Sequence, residues 1–391
     1  MGLIVKEKKI GFLGNPGFLP AGSKENTGNV VHWYAARALF RSPGQIHAHL
    51  DEANLAEIRK TYTHLGYAAA TMLNVNSVPQ YIAGHEHAAE FIEKLDLPVC
   101  ALGLGCQAQL GQSVKTAEVD SRSIRLLRAI ADRSALVGVR GEFTAALCEK
   151  YGVRNVKVLG CQSSYRAGVE NWDTRPVLKD DAPRVVANLT GGSDEREMLR
   201  LVMGSNADII GQNDSVEEGI KLGKVSRDDY ENNPNVYWAP PYLQKLFAQG
   251  GLSRRQYFDY IAGHFEKFYT FPEWVDHIRT HYDFCFGTRF HGNMVAFHAG
   301  VPALWVVHDM RTRELCDHLG LPNVNHGELP ELRGLAEMIG HCDYSGFWTS
   351  FPRRLKEFME YLRRNGVAEL LAQSFVEKSS RIVSVASVAG R

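Results

Sequence analysis

The feature that most constrains this chain is an alternation: short apolar runs flanked by Gly or Asn recur along it, separated by longer amphipathic stretches. That pattern predicts repeated strand and helix units around parallel sheets. It occurs in two series. The first places strands at Lys9 to Gly14, Ala68 to Leu73, Pro98 to Gly103, Ala135 to Arg140 and Val156 to Gly160. The second places them at Val185 to Thr190, Asp208 to Gln212, Val236 to Ala239, Asp283 to Arg289 and Ala303 to Val307. Apolar spacing over Asp120 to Asp132 predicts a helix, and Pro272 suits the first turn of another that runs to His281.

Between the series, Gly168 to Pro183 turns charged and rich in Pro and Trp without periodicity, as a connection between domains does. A length of 391 residues also exceeds the roughly 100 to 200 residues of one domain. The expected architecture is therefore α/β: a Rossmann-like domain over 1–172, a second over 173–345, and a C-terminal helix and tail over 346–391, with parallel sheets and a ligand cleft between the domains. Phe351 to Leu371 is read as an amphipathic helix and the remainder as a small, polar, frayed end.

Lys and Arg total 44 against 44 Asp and Glu. The chain thus lacks the global basic field that drives nucleic-acid binding, and any anion site has to be local. Seven scattered cysteines without a C-x-x-C pair fit reduced thiols in a cytoplasm. No run of about 18 apolar residues is present and the first residues lack a signal-peptide pattern, so membrane contact is expected to be peripheral at most, at the inner face. With no H-E-x-x-H motif and no close Cys/His cluster, no metal is expected.

The most informative stretch, Tyr282 to Asp309, reads as strand, polar loop, short helix and buried strand. Ligands of parallel sheets bind outside the carboxyl ends of strands, and a helix starting near Gly292 adds unpaired amides. Arg289 and His291 are placed there to meet an anion, the Arg as a planar fork and the His as a proton donor or acceptor near neutral pH. The alternative is that Arg289 pairs with a structural acid and His291 caps the helix. Arg140 closes an earlier strand, facing the cleft or pairing with Glu142. Asn29 opens a helix after the first strand. The loop Gly103 to Gln112, with Gly105 and Gln107, either bonds sugar hydroxyls or forms a turn. His308, Asp309 and Arg311 follow the strand Ala303 to Val307 and either line the same cleft or form a surface pair.

At these residues the chain resembles the polysaccharide pyruvyltransferase family, through VRGEF at Val139 to Phe143, the R-x-H pair Arg289 and His291, and the Gly300-Val301-Pro302 turn into a strand. The likeness spans roughly Lys9 to Leu319. It implies a fold like that of GT-B glycosyltransferases, with the acceptor on the N-terminal domain and the donor on the C-terminal one. It further implies transfer of the enolpyruvyl part of phosphoenolpyruvate onto two hydroxyls of a sugar, free or lipid-linked, giving a cyclic ketal on a surface polysaccharide or its precursor. Phosphoenolpyruvate is the co-substrate and no other cofactor is implied. On this resemblance Arg140 and Arg289 hold the donor's anionic groups and His291 protonates its methylene carbon. Gly292, Asn293, Asp309 and Arg311 join the donor site; Asn29, Gly105 and Gln107 join the acceptor site. Two departures stand out. Val30 follows Asn29 where the family usually has an acid, and Arg311 stands where Lys is common. The rival expectations are a glycosyltransferase that uses a nucleotide sugar, with Glu314 or Glu328 gripping ribose, and a non-catalytic glycan- or anion-binding subunit.

Overall fold

A computed structural model of the chain describes residues 7–14, 16–75, 82–178, 182–191 and 194–389, with 386–389 as backbone only. The N-terminal series forms strands β1 (Ile10–Leu13), β2 (Gly44–Ile46), β3 (His64–Ala68), β4 (Thr71–Asn74), β5 (Val99–Leu102), β6 (Gly105–Gln107), β7 (Val137–Val139) and β8 (Val156–Val158). Four of them make a parallel sheet in the order β2-β1-β3-β5. The parallel pair β7-β8 continues it, because Leu104 donates its N–H to Gly138 O (2.9 Å) and accepts from Arg140 N (2.9 Å). The short pair β4-β6 projects beyond the carboxyl ends of β3 and β5.

The C-terminal series forms β9 (Val185–Asn188), β10 (Asp208–Gly211), β11 (Phe265–Lys267), β12 (Phe284–Gly287), β13 (Ala303–Val307) and β14 (Asn323–Asn325). All are parallel, in the order β11-β10-β9-β12-β13-β14. Both sheets are thus doubly wound. Their strand order reverses between β1 and β3 in one and between β9 and β12 in the other, and such reversals open a crevice beyond the carboxyl ends of the strands.

Helices form where sequence supplies both a cap and a stripe. In Ser121–Ala131, Asp120 Oδ1 accepts from Arg122 N (2.9 Å), and Ser123, Leu126, Leu127 and Ile130 turn one buried face to the sheet. The C-terminal tail differs from expectation. The long helix is Ser345–Arg364, beginning ahead of Phe351, and after Gly366 (φ 72°) and a short 3₁₀ turn the chain forms a second helix, Gln373–Ala389, where a frayed end was expected. Its buried Phe375 and Ile382 and the buried Ser379 explain the order, since they give the small, polar segment one packed face.

These last helices return to the N-terminal domain. Tyr361 donates its hydroxyl to Ala101 O, Asn365 Oδ1 accepts from Leu136 N (3.3 Å), and Lys157 pairs with Glu357 (2.9 Å). One hydrophobic core consequently runs through both domains, from Phe12, Val30 and Tyr165 to Phe297, Trp305, Phe347 and Phe358. Tyr165 and Phe358 stack at 4.1 Å across it.

Two strand expectations fail for physical reasons. Val236 to Ala239 forms a turn, with Val236 N and Tyr237 N both bonded to Asn233 O. Pro234, Pro240 and Pro241 bracket the run and cannot donate to a ladder, and Val236 and Trp238 are exposed. The sheet position goes to β11 instead, whose Phe-Glu-Lys sequence carries no apolar run. Ala68 to Leu73 divides into β3 and β4, which pair with β5 and β6 respectively.

The helix Gln162–Glu170 meets Ser345–Arg364 at Gly168, where a Cβ would overlap the ring of Phe351. Gly168→Val is therefore expected to force the helices apart and to cost about 1–3 kcal/mol of stability by overpacking, read as a lowered thermal midpoint. An unchanged midpoint would show that the contact between the domains tolerates a wider spacing.

Candidate functional site

Two short segments at the reversal of the C-terminal sheet hold one another. Asn188 ends β9 and lies level with Gly287 at the end of β12. Its Oδ1 accepts from Arg289 N (2.9 Å) and its Nδ2 donates to Asn293 Oδ1 (2.7 Å). Asn293 Nδ2 in turn donates to Gly287 O (2.9 Å) and Leu304 O (3.1 Å). Both amides are buried, and every bond made is one that solvent cannot replace. Gly292 is required because a Cβ there would sit 2.7 Å from Asn188 Cγ. The helix Phe290–His298 starts against this brace, with Arg289 as its N-cap.

Arg289 turns outward from the cap. Its Nε donates to Leu189 O (2.9 Å) and its Nη2 to Asn213 Oδ1. Among the described residues no carboxylate forms an ion pair with it, so the guanidinium is positioned by neutral acceptors. Burial lowers its pKa, with the charge of Asp214 opposing.

Arg140 follows β7 and is 1% exposed. Its side chain lies over Gly105, where a Cβ would come within 2.5 Å of Arg140 Cδ. It pairs with neither Glu142 nor any other carboxylate among the described residues, and its Nε and Nη2 have no hydrogen-bond partner in the chain. Burial lowers its pKa first, and Arg311 lowers it further. Arg311, half-buried, pairs with Asp309 Oδ2 (3.3 Å) and acts on Arg140, Arg289 and His291 alike. Three guanidinium groups thus converge on one place in a chain of zero net charge.

His291, in the first turn of Phe290–His298, points at this cluster. Its Nε2 lies 3.6 Å from Cys161 Sγ, and its ring centroid is 5.2 Å from that of His32. Burial, then the charges of His32, Arg140 and Arg311, push its pKa well below the ordinary histidine value. His32 is lowered likewise by burial and by Arg140. It is 1% exposed and neither of its ring nitrogens has a hydrogen-bond partner among the described residues. Both imidazoles are accordingly neutral at pH 7.

The N-terminal domain closes against this cluster through backbone. Thr27 N donates to Gln212 O (3.0 Å) and Met310 N to Ala108 O (3.0 Å), while within the N-terminal domain Gln162 Nε2 donates to His32 O (3.0 Å). Beside His32, beyond the carboxyl end of β3, lies an open cavity of about 140 Å³ walled by Asn29, Trp33, Tyr67, Thr71 and His85 among others.

The structure brings Arg140, Arg289, His291 and Arg311 together, with Asn29 at the adjoining cavity. Other expected residues take framework positions. Gly292 and Asn293 belong to the brace around Asn188. Asp309 caps the helix Met310–Leu319, its Oδ1 accepting from Thr312 N and Oγ1 (both 2.8 Å), while its Oδ2 faces Arg311 and His308. Gly105 is buried beneath Arg140, and Gln107 is exposed at the far end of β6. The two acids considered for ribose are engaged elsewhere. Glu314 accepts from Thr144 N (3.0 Å) and Oγ1 (2.6 Å), and burial raises its pKa to about 7. Glu328 caps a 3₁₀ turn at Asn325. Sequence reasoning missed His32, Asn188, Asn213 and Cys161. Asn188 and Cys161 close apolar strands in the pattern that singled out Arg140, so that signal was present; His32 sits three residues after Asn29, inside an apolar helix face, and gave none.

Among the described residues no group of three or more His, Cys, Asp or Glu is arranged to hold a metal, and no helix is long and apolar enough to cross a membrane.

Among solved structures the chain is similar to the UDP-GlcNAc 2-epimerase of Methanocaldococcus jannaschii in complex with UDP-GlcNAc and UDP, at 13% identity over 97% of this chain and 99% of that one, with a TM-score of 0.41. It is also similar to S. aureus MnaA with UDP, at 10% identity over 91% and 97% of the two chains and a TM-score of 0.39. A variant of the wall teichoic acid polymerase TagF follows at 10% identity over 97% and 90%, with a TM-score of 0.38. No curated protein matches it in sequence. The polysaccharide pyruvyl transferase family model matches residues 26–310, a span that contains Arg140, Arg289 and His291, and the chain belongs to that family.

Proposed function

We propose that the protein transfers the pyruvyl group of phosphoenolpyruvate onto two hydroxyls of a sugar in a surface polysaccharide or its precursor, forming a cyclic ketal. The observation that carries this is the gathering of Arg140 and Arg311 about the neutral ring of His291, with Arg289 beside Arg311; among the described residues neither Arg140 nor Arg289 forms an ion pair with a carboxylate. Phosphoenolpyruvate presents a carboxylate and a phosphate on the same carbon, which suits several separate guanidinium groups better than a single fork.

In this scheme the arginines bind the donor and stabilise phosphate as it leaves. His291 gives a proton to the methylene carbon, making a methyl group and an electron-poor carbon. One sugar hydroxyl adds there, the bond to phosphate breaks, and the second hydroxyl closes the ring. The first hydroxyl's proton makes good the one that His291 gave and the second's leaves with the phosphate, so donor and diol give ketal and hydrogen phosphate with nothing left over.

A neutral His291 has no proton to give. The donor's charge supplies the remedy, since an anion beside an imidazole favours its protonated form. Glycosyl transfer from a nucleotide sugar is less favoured, because Glu314 and Glu328 are committed to Thr144 and Asn325.

Phosphoenolpyruvate is expected to raise the thermal midpoint, by the equivalent of about 2.7 kcal/mol at a hundred times its Kd, and Arg289→Ala to abolish the shift. Stabilisation by a uridine or guanosine sugar nucleotide with none by phosphoenolpyruvate would sink the reading. Release of phosphate should require both a sugar acceptor and His291, and fall by about 10²-fold or more in His291→Ala.

Proton linkage gives a separate check. Free His291 and His32 have depressed pKa values, so as pH falls through about 6.5 the unfolded chain takes up protons that the folded one refuses. Stability then declines by about 1.4 kcal/mol per pH unit for each such histidine. Bound donor raises the folded values, so binding near pH 6 is expected to draw in protons, measured by calorimetry in buffers of different ionisation heat. Binding without uptake would deny His291 its role as acid.

A further inference from the structure

The chemistry proposed above needs a group that takes a proton as well as one that gives it, and His291 fills only the second role. His32 stands across from it, on the helix Asn29–Ala38 that follows β1. Its ring is 1% exposed, yet both nitrogens lack a hydrogen-bond partner among the described residues. Leaving such groups unsatisfied costs about 1–3 kcal/mol each, so a ring with both nitrogens in that state calls for an explanation. The groups facing the ring are His291, Arg140 and the indole of Trp33, at 5.3 Å between centroids, with Gln162 holding the backbone carbonyl. No carboxylate pairs with it among the described residues.

The cavity beside His32 has the chemistry of a sugar subsite. Trp33 and Tyr67 offer aromatic faces on which the C–H face of a pyranose can pack, and Asn29 and Thr71 offer an amide and a hydroxyl for its polar edge. It lies at the order reversal of the N-terminal sheet, as the arginine cluster lies at that of the C-terminal sheet. His32 stands between the two.

We propose that this cavity receives the acceptor sugar and that His32 is the base that takes the proton of its attacking hydroxyl, resting on the pyruvyl-transfer chemistry proposed above. The sugar oxygen forms its bond to the donor carbon as a ring nitrogen of His32 accepts the hydroxyl proton, while His291 gives its own proton to the methylene carbon. Transfer from His32 to the neighbouring His291 ring then resets the pair. The second hydroxyl's proton leaves with the phosphate. The acceptor must therefore present two hydroxyls near enough to close a five- or six-membered ring.

The test compares wild type, His32→Gln and Trp33→Ala in three readouts: phosphate release from phosphoenolpyruvate with a panel of hexose acceptors, thermal stabilisation by phosphoenolpyruvate alone, and the pH profile of kcat/KM. For His32→Gln, kcat is expected to fall by about 10²–10⁴-fold, with stabilisation by phosphoenolpyruvate retained and the acidic limb of the profile gone from the residual rate. Trp33→Ala is expected to raise the acceptor KM while kcat and donor stabilisation hold. Turnover of His32→Gln within about threefold of wild type, or loss of donor stabilisation together with activity, would overturn the role of His32. Unchanged acceptor KM in Trp33→Ala would overturn the placement of the sugar. A wild-type protein that binds phosphoenolpyruvate but releases no phosphate with any acceptor would remove the transfer chemistry itself, and the role of His32 with it.

Discussion

The site depends on a charge that the fold buries without neutralising. Arg140 is almost wholly inaccessible, and two of its guanidinium nitrogens meet no acceptor in the chain. Desolvating an ion of this kind opposes folding by on the order of several kcal/mol. A nearby carboxylate would relieve that cost and at the same time fill the site. The closest acid in chemical terms, Glu314, is instead tied to Thr144 and has its pKa raised to about 7, so it offers Arg140 only partial compensation at neutral pH. An anion from outside would offset that deficit.

Such a deficit is tolerable because it is carried by a large shared core. The helices that frame the cleft, Asn29–Ala38, Gln162–Glu170 and Phe290–His298, bury their apolar faces together with Ser345–Arg364, and the burial of side chains such as Phe347, Phe351 and Phe358 contributes about 1.5–3 kcal/mol each. Close packing also fixes where polar groups stand. Gly105 lets Arg140 lie flat over β6, and Gly292 lets Asn188 reach Asn293. Each glycine is needed for space rather than for a turn, and each holds a charged or amide group to one position.

How much of this was legible follows from what each element uses for its signal. Strands buried on both faces, such as β5 and β13, are apolar throughout and were readable from sequence. Edge strands such as β2, β11 and β14 are three residues long and half polar, and no local pattern separates them from turns. Arg289, His291 and Arg140 were legible because a polar residue closing an apolar strand has few structural uses. His32 was not, since a histidine among Val30, Val31, Ala35 and Ala36 reads as part of a buried face; only the approach of the second domain reveals that its ring has no partner. For Asn293, which the resemblance assigns to the donor site, the sequence carried no sign that the helix turns its amide inward to the brace.

The neutral state of the imidazole pair gives the arrangement its logic. An acid that carried its proton in the empty site would add a fourth positive charge to three arginines, and would stand ready to protonate whatever entered. Burial holds His32 and His291 neutral, helped by Arg140 at both rings and by Arg311 at His291, and in the proposed reaction a proton enters when an anion has offset that field. Binding and protonation are then one event, coupled through charge rather than through movement of the chain. In the proposed reaction Arg140 and Arg311, which would bind the anionic donor, are also the groups that keep the acid switched off without it, so that selectivity for the donor and activation of the acid would arise from a single electrostatic arrangement.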